Sequence, residues 1–302
     1  MTLEQLRVFV AVAERAHLTK AAEALSLTPS AVSASVRVLE ERYGTPLFDR
    51  VGRGIVLNDA GRSFLPEAKA TLASALATES TLADLGSGRR GTLKLQASQT
   101  IASYWLPPFL VRFHERFPLV ELCLTVGNTQ SVARAVVDGT AEIGFVEDRV
   151  DETALSSTVV SQDQFAVVVA PGHPWADGQP LAPPALLGGR WIMREQGSGT
   201  RSAFEVMLAA LGVDGAGLDV ALTLPSNEAM RAAVAAGPYV MVVSTLVVAA
   251  DLKAGLLRAV NIDLPTRSFY LVRHVSRYRS RTSSALEALI GGPTSKPGDS
   301  LH

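Results

Sequence analysis

The sequence predicts an α/β fold that is preceded by an all-α segment. Two observations carry this prediction. Before residue 58, apolar residues recur at helical spacing and give way to two short apolar runs around a glycine-rich turn. Beyond Gly91, short apolar runs alternate with helical patterns, which is typical of α/β proteins with largely parallel sheets. The length of 302 residues is sufficient for two or three domains that each bury a core.

The stretch from Thr28 to Tyr43 is predicted to be the central helix of the N-terminal segment. Thr28 is a suitable N-cap, and Pro29 is suited to the first helical position. Steps of four, three and four residues separate the members of one apolar stripe, which are Val32, Val36, Leu39 and Tyr43. The opposite face carries Ser30, Ser33, Ala34, Arg37 and Glu41. The short side chains of Ser30, Ser33 and Ala34 fit the major groove of DNA, although an ordinary surface helix would show the same pattern.

Two further helices are predicted before this one. An apolar stripe indicates a helix from Leu3 to Ala16, and Thr19 is the expected cap of a short helix that ends near Leu25. A short helix, a three-residue connector and a longer helix form a helix-turn-helix. After Gly44, a glycine-punctuated turn between apolar runs predicts a hairpin, or wing, with Arg50 and Arg53 near its tip. These arginines are suited to contacts with phosphate or with the minor groove, and a solvated loop is the alternative.

The ordered set LRVFVAVAERAHLTKAAEALSLTPSAVSASVRVLEERYGTPLFDRVGRGIVLNDAG, from Leu3 to Gly61, resembles the DNA-binding domain of LysR-type transcriptional regulators. The predicted fold is therefore α/β with an N-terminal all-α winged helix-turn-helix. Many family members carry a basic or long polar residue directly after the serine that is Ser33 here, whereas this chain has Ala34. The expected DNA-binding residues are Thr28, Ser30, Ser33, Ser35, Arg37, Arg50 and Arg53.

The resemblance also implies a domain organisation. Residues 1–61 would form the DNA-binding domain, residues 62–90 a dimerising linker helix with a hinge, and residues 91–302 the effector-binding domain. The effector domain would consist of two α/β lobes like a type 2 periplasmic binding protein. Its lobe I would comprise residues 91–161 and 267–302 and its lobe II residues 162–266, with crossings near Ser161 and Thr266.

Charge indicates how such a protein would bind DNA. The net charge is −1, and residues 1–58 hold seven Lys or Arg against six Asp or Glu. We therefore expect affinity for double-stranded DNA to depend on a dimer that places two heads together. The helical stripe formed by Leu65, Ala68, Leu72, Ala75 and Leu82 favours helix packing in a homodimer over packing on its own domain. The family resemblance implies a homodimer or homotetramer, and it admits RNA polymerase as a further partner.

Polar residues follow several predicted strands of the α/β region. The carboxyl ends of parallel strands are where such sheets bind ligands, and nearby helix N-termini favour anions. We expect a small carboxylate, phosphate or sulfur-containing anion there, with Ser98, Thr100 and Thr200 donating hydrogen bonds and Arg201 supplying charge. The expected effector-binding residues are Ser98, Gln99, Thr100, Asn128, Thr129, Gly197, Ser198, Gly199, Thr200, Arg201 and Asn227.

Other classes of protein fit less well. Ser198 has no histidine in a position suited to activate it, and the sequence contains no P-loop and no metal-ligand spacing, so we expect neither catalysis nor a cofactor. A solute-binding protein with a non-specific DNA-binding head is the alternative, but no export signal is visible, which favours the cytoplasm. The uncharged stretch from Ala232 to Ala250 is predicted to be a helix, strand and helix. Cys123 is expected in a core, with a redox role as the alternative.

Overall fold

The computed structural model describes residues 1–51, 54–86 and 91–291. The chain divides into two compact units, the first built on Met1–Leu82 and the second on the described residues from Ala83 onward. Each unit has its own hydrophobic cores.

The first unit begins with three helices, α1 (Leu3–Arg15), α2 (Leu18–Leu25) and α3 (Pro29–Tyr43). The predicted stripe of α3 is buried at Val32, Val36 and Leu39, whereas Tyr43 at the end of the helix is 57% exposed. Thr28 caps α3, since its Oγ1 accepts a hydrogen bond from the Ala31 amide. The expected cap at Thr19 is wrong. His17 caps α2 instead, because its Nδ1 accepts from the amides of Thr19 and Lys20, and the helix starts at Leu18.

The wing follows as an antiparallel pair, β1 (Phe48–Val51) and β2 (Gly54–Leu57). Glu40 of α3 fixes its position, since the Glu40 carboxylate accepts hydrogen bonds from the amides of Leu47 and Phe48 at 2.7 and 3.3 Å. Arg50 lies in β1 and is exposed. Arg53 lies outside the described residues.

The linker helix α4 spans Asp59–Gly86 and contains Pro66 in its first half. Its packing differs from the expectation. Ala68 is buried in a core with Leu6 and Phe9 of α1, and Leu65 and Leu72 of α4 pack against the same core. The first half of α4 therefore packs on its own domain, because apolar residues of the head face it. Apolar residues of the second half, Leu76 and Leu82, are exposed.

The second unit contains two five-stranded sheets. One, which we call lobe I, has the strand order β4-β3-β5-β12-β6, and the other, lobe II, has the order β11-β7-β10-β8-β9. The strands are β3 (Gly91–Ser98), β4 (Val120–Gly127), β5 (Ile143–Val146), β6 (Leu155–Asp163), β7 (Phe165–Val169), β8 (Arg190–Arg194), β9 (Asp219–Leu224), β10 (Val240–Ser244), β11 (Arg258–Ala259) and β12 (Arg267–His274). The helices are α5 (Pro107–Arg116), α6 (Thr129–Asp138), α7 (Gly199–Ala210), α8 (Asn227–Ala235), α9 (Thr245–Ala254) and α10 (Arg281–Gly291), with a π-helical turn at Ile101–Trp105.

The sheets are mixed, so the expectation of largely parallel sheets is wrong. The β3, β4 and β5 strands run parallel, as do β8, β9 and β10. The first strand after each crossing between the lobes pairs antiparallel with its neighbours. These strands are β7, which pairs with β10, and β12, which pairs with β5 and β6. The first crossing also lies later than Ser161, because β6 continues to Asp163 in register with Arg267 of β12. The chain crosses at Gln164 and returns between β11 and β12.

Two further sequence expectations concern single segments. The stretch from Ala232 to Ala250 forms the end of α8, the buried strand β10 and the start of α9, as expected. Within the described parts of the chain, none of the helices is both long and apolar enough to cross a membrane. Cys123 is exposed rather than in a core, because side chains alternate along β4 and its neighbours Leu122 and Leu124 are the ones that pack against the core.

Candidate functional site

Four buried polar side chains from both lobes meet at the termini of strands and helices. Ser98 is the last residue of β3, Glu147 directly follows β5, Thr200 lies in the first turn of α7, and Arg267 begins β12. Their relative exposures are 2%, 2%, 1% and 7%. Buried polar groups of this kind are stable only where their hydrogen bonds are satisfied internally.

The Glu147 carboxylate is the centre of this cluster. Its Oε1 accepts hydrogen bonds from Ser98 Oγ at 3.0 Å and from the Thr100 amide at 3.1 Å. Its Oε2 accepts from Thr200 Oγ1 at 2.8 Å and from Arg267 Nη1 at 3.0 Å. The donors that the sequence assigns to an external anion therefore hold a carboxylate of the protein itself.

Arg267 links this carboxylate to the crossing between the lobes. Its Nε donates to Asp163 Oδ2 at 2.7 Å, and Asp163 Oδ1 accepts from Ser244 Oγ at 2.6 Å. The guanidinium lies 4.2 Å from the ring centre of Phe165, which is favourable for a cation. Its Nη2 is buried and finds no hydrogen-bond partner among the described residues.

Burial and charge act in opposite directions on the two carboxylates. Burial alone would raise the pKa of Glu147, but the charge of Arg267 and the hydrogen bonds from Thr100, Thr200 and Ser98 lower that pKa below its ordinary value. For Asp163, burial raises the pKa above its ordinary value in spite of Arg267. Both carboxylates contact the Arg267 guanidinium, Glu147 at 3.0 Å and Asp163 at 2.7 Å, and Glu147 receives the larger set of hydrogen bonds.

A second network joins the lobes beside the first. Asn227 at the start of α8 donates from Nδ2 to Thr100 Oγ1 at 3.1 Å and accepts from Arg194 Nη1 at 2.9 Å. The Asn227 amide donates to Gln99 Oε1 at 2.7 Å, and Gln99 Nε2 donates to Glu228 at 2.9 Å. The predicted residues Gln99, Thr100 and Asn227 are thus in direct contact with one another.

The start of α6 faces the start of α7. Gly199 has no room for a side chain, since a Cβ there would lie 2.5 Å from Thr129 Oγ1 and 3.0 Å from the Glu147 Cβ. Thr129 Oγ1 is buried and has no hydrogen-bond partner within the described ranges. Ser198 is the N-cap of α7, but its side chain makes no capping hydrogen bond. The backbone amides in the first turn of α7 therefore have no side-chain cap. Gly197 precedes it with φ of 83°, a conformation that favours glycine.

The remaining predicted residues lie at the edge of this region. Asn128 Nδ2 donates to Glu195 Oε1 at 3.2 Å. Arg201 donates to Glu205 at 2.8 Å and to the Arg194 carbonyl at 3.1 Å, so it is paired with groups other than the Glu147 cluster. The positive charge that contacts the cluster directly comes from Arg267.

The predicted DNA-contacting face of α3 is open in part. Ser30 and Arg37 are exposed, and Ser33 and Ser35 are half-buried. Arg37 pairs with Glu41 one turn later at 3.6 Å. The Thr28 hydroxyl is engaged, since it accepts from the Ala31 amide and lies 3.0 Å from Ser30 Oγ.

Sequence reasoning missed Glu147, Arg267, Asp163 and Arg194. Glu147 stands directly after a strand, which is the signal that identified Ser98, so the same rule could have found it. Arg194 ends β8 and Asp163 ends β6, positions that the sequence shows only as charged residues flanking apolar runs. Arg267 gave no signal at all, because its partners lie more than a hundred residues earlier in the chain.

Comparison with known proteins gives matches over nearly the whole chain. The family model for the bacterial regulatory helix-turn-helix protein, lysR family, matches residues 3–62, and the model for the LysR substrate binding domain matches residues 86–291. The uncharacterized HTH-type transcriptional regulator YeiE of Escherichia coli (strain K12) is 35% identical over 282 residues, which cover 93% of this chain and 94% of that relative.

Two solved structures are similar in fold. The full-length CbnR structure in complex with its target DNA has a TM-score of 0.68 at 19% identity and covers 96% of this chain and 99% of that one. The regulatory domain of CcmR from Synechocystis PCC6803, solved in complex with 2-PG, has a TM-score of 0.59 at 27% identity. That match covers 67% of this chain and 96% of the CcmR chain.

Proposed function

Because the chain belongs to the LysR family of transcriptional regulators, we propose that its effector domain binds a small anion in competition with its own Glu147 carboxylate. The chain is a DNA-binding transcriptional regulator with a helix-turn-helix head and an effector-binding domain, and the families and relatives that match it are regulators rather than enzymes. The match of residues 3–62 disfavours the alternative of a solute-binding protein.

One observation carries the proposal. Four donors from both lobes converge on a single carboxylate, two on each of its oxygens. Hydrogen bonds of charged groups are stronger than neutral ones, so a site built this way favours an oxyanion over a neutral ligand. Glu147 shows which chemistry the donors suit, since its side chain presents the same two oxygens as a small external carboxylate.

Further donors lie close to the cluster and are not used by Glu147. Thr129 Oγ1 and Arg267 Nη2 are buried without a partner among the described residues, and the first turn of α7 has no side-chain cap. Leaving such groups unpaired costs free energy, which a ligand that reached them would recover. The relative CcmR, whose regulatory domain was solved with 2-PG, supports a small-molecule effector in this fold.

Competition with Glu147 gives the ligand a way to change conformation. Ser98 and Thr100 belong to lobe I and Thr200 to lobe II, so the carboxylate bridges the lobes. An anion that displaces Glu147 replaces this bridge with a different set of contacts and shifts the equilibrium between lobe arrangements. In a homodimer or homotetramer, such a shift would alter the spacing of the DNA-binding heads and the bend that they impose on DNA.

The DNA-binding residues remain part of the proposal. Thr28, Ser30, Ser33, Ser35 and Arg37 would contact DNA from α3. Arg50 and Arg53 would contact phosphate or the minor groove from the wing.

Chemical rescue tests the anion site. Glu147→Ala removes the internal carboxylate from the full-length protein and leaves its four donors unpaired. We expect formate and acetate to raise the melting temperature of E147A saturably. Phosphate, sulfate and nitrate are titrated in the same way for comparison. The matched control is Glu205→Ala, which also removes the carboxylate partner of an arginine but lies outside the cluster.

The outcomes are distinct. Saturable stabilisation of E147A that E205A lacks would support an oxyanion site at these donors. If none of the five anions stabilised E147A more than E205A, the anion proposal would be wrong. Effectors are then sought with the wild-type protein. An anion that competes with Glu147 must also change the affinity of the full-length protein for DNA.

A further inference from the structure

The exposed face of α3 carries an apolar strip that no packing explains. Ala31, Ala34 and Val38 are all exposed, and Val38 retains 46% of its surface. Spacings of three and four residues place these three side chains next to one another on the helix. We call them the apolar strip of α3.

Neither core packing nor helix stability accounts for Val38. The buried stripe of α3 consists of Val32, Val36 and Leu39 on the other side of the helix. Valine is also a poorer helix former than alanine, since its branched side chain is restricted in a helix. Val38 is therefore available for a contact outside the domain, and its place on the helix of the helix-turn-helix that faces DNA distinguishes it from other exposed valines such as Val206.

Two of the exposed polar groups on this face, Ser30 and Arg37, already have partners on α3 or at its N-cap. Ser30 Oγ lies 3.0 Å from Thr28 Oγ1, and Arg37 pairs with Glu41 at 3.6 Å. Ala34 and Val38 lie between these groups and offer only methyl groups. The exposed centre of this face is therefore apolar, with the half-buried Ser33 beside it.

We propose that Ala34 and Val38 recognise thymine in the major groove through its 5-methyl group. That methyl is the apolar feature that base pairs present in the major groove, and alanine-like side chains are known to contact it. The two positions are roughly 6 Å apart along the helix axis. Since bases of one strand are about 3.4 Å apart, the strip spans neighbouring or next-neighbouring bases. The inference rests on α3 being the helix that enters the groove.

Deoxyuridine provides a direct test, because it lacks only the methyl group of thymidine. The probe is a duplex selected from a random library by the full-length protein, with its thymines replaced one at a time by deoxyuridine. Affinity is measured by fluorescence anisotropy. At a contacted position, the wild-type protein should lose about fourfold in affinity for each methyl removed.

Val38→Ala links the effect to one side chain. The variant improves helix propensity, so a loss of folding is not expected. We expect V38A to bind the thymine duplex several-fold more weakly and to be insensitive to deoxyuridine at the position that Val38 contacts. Val206→Ala is the matched control, since Val206 is a 67% exposed valine on α7, and it should keep the full sensitivity of the wild type.

Each other outcome has a clear meaning. Selective binding that no deoxyuridine replacement weakens would overturn the inference while the regulator function stands. Equal deoxyuridine sensitivity of V38A and the wild type at every position would also overturn it. A failure to select any sequence would overturn the inference together with the proposed DNA contacts.

Discussion

Replacing Glu147 with glutamine should destabilise the effector domain strongly. The carboxylate accepts four hydrogen bonds, two on each oxygen. Glutamine keeps one accepting oxygen, and its amide nitrogen then faces two donors. Hydroxyls can rotate to accept, but the Thr100 amide and the Arg267 guanidinium cannot. Breaking a buried pair of this type costs about 3–5 kcal/mol, and we expect the lower end of that range because Arg267 keeps its ion pair with Asp163.

The expected shift is large enough to measure directly. A domain of this size loses roughly 2–4 °C in melting temperature per kcal/mol, so E147Q should melt about 10 °C below the wild type. All three tryptophans of the chain, Trp105, Trp175 and Trp191, lie in the effector domain. Selectively excited tryptophan fluorescence of the full-length protein therefore reports the unfolding of this domain alone.

The same variant predicts a pH dependence. The pKa of Glu147 is lowered in the folded protein, so its contribution is fully present above the unfolded value of about 4.3 and is lost as the pH falls through the folded value. The difference between wild type and E147Q should therefore shrink at acidic pH. Glu205→Gln, at an exposed ion pair, is the control. If E147Q unfolded within 1 °C of E205Q at neutral pH, the placement of the carboxylate at the centre of the cluster would be refuted.

Three further substitutions test other parts of the protein. Arg50→Ala should reduce the slope of log affinity against log salt by about one, whereas Arg116→Ala in the effector domain should leave it unchanged; an unaltered slope in R50A would remove the wing from the interface. Gly199→Ala should destabilise the effector domain by about 1–3 kcal/mol in denaturant titrations, and adding Thr129→Ala should recover part of that loss because the new Cβ meets Thr129 Oγ1. No recovery in the double variant would argue against that contact. Thr28→Ala should lower the free energy of unfolding of the head by about 1 kcal/mol, since it removes the N-cap of α3. Denaturant unfolding followed by far-UV circular dichroism checks this, and an unchanged unfolding midpoint would contradict the capping role.

Local sequence rules predicted most elements, and their failures have identifiable causes. The cap at Thr28, the strand at Val240 and the helix-turn-helix follow from side-chain chemistry and spacing over a few residues. The strand β6 could not be predicted from an apolar run, because it lies at a sheet edge, where LSSTVVSQD need not be continuously apolar. The largely parallel sheets were wrong because the direction of a strand that crosses between lobes depends on its partner and not on its own residues.

The sequence by itself determined the family, the class of fold and the donors Ser98, Thr100 and Thr200, since each depends on residues close together in the chain. Only the tertiary structure decided what those donors hold. Glu147 lies 49 residues from Ser98 and 120 from Arg267 in the chain. Short-range preferences set helices, strands and caps, but the energy of a buried charge depends on which partners the whole fold brings within about 3 Å. That choice fills the predicted anion site with a carboxylate of the chain itself.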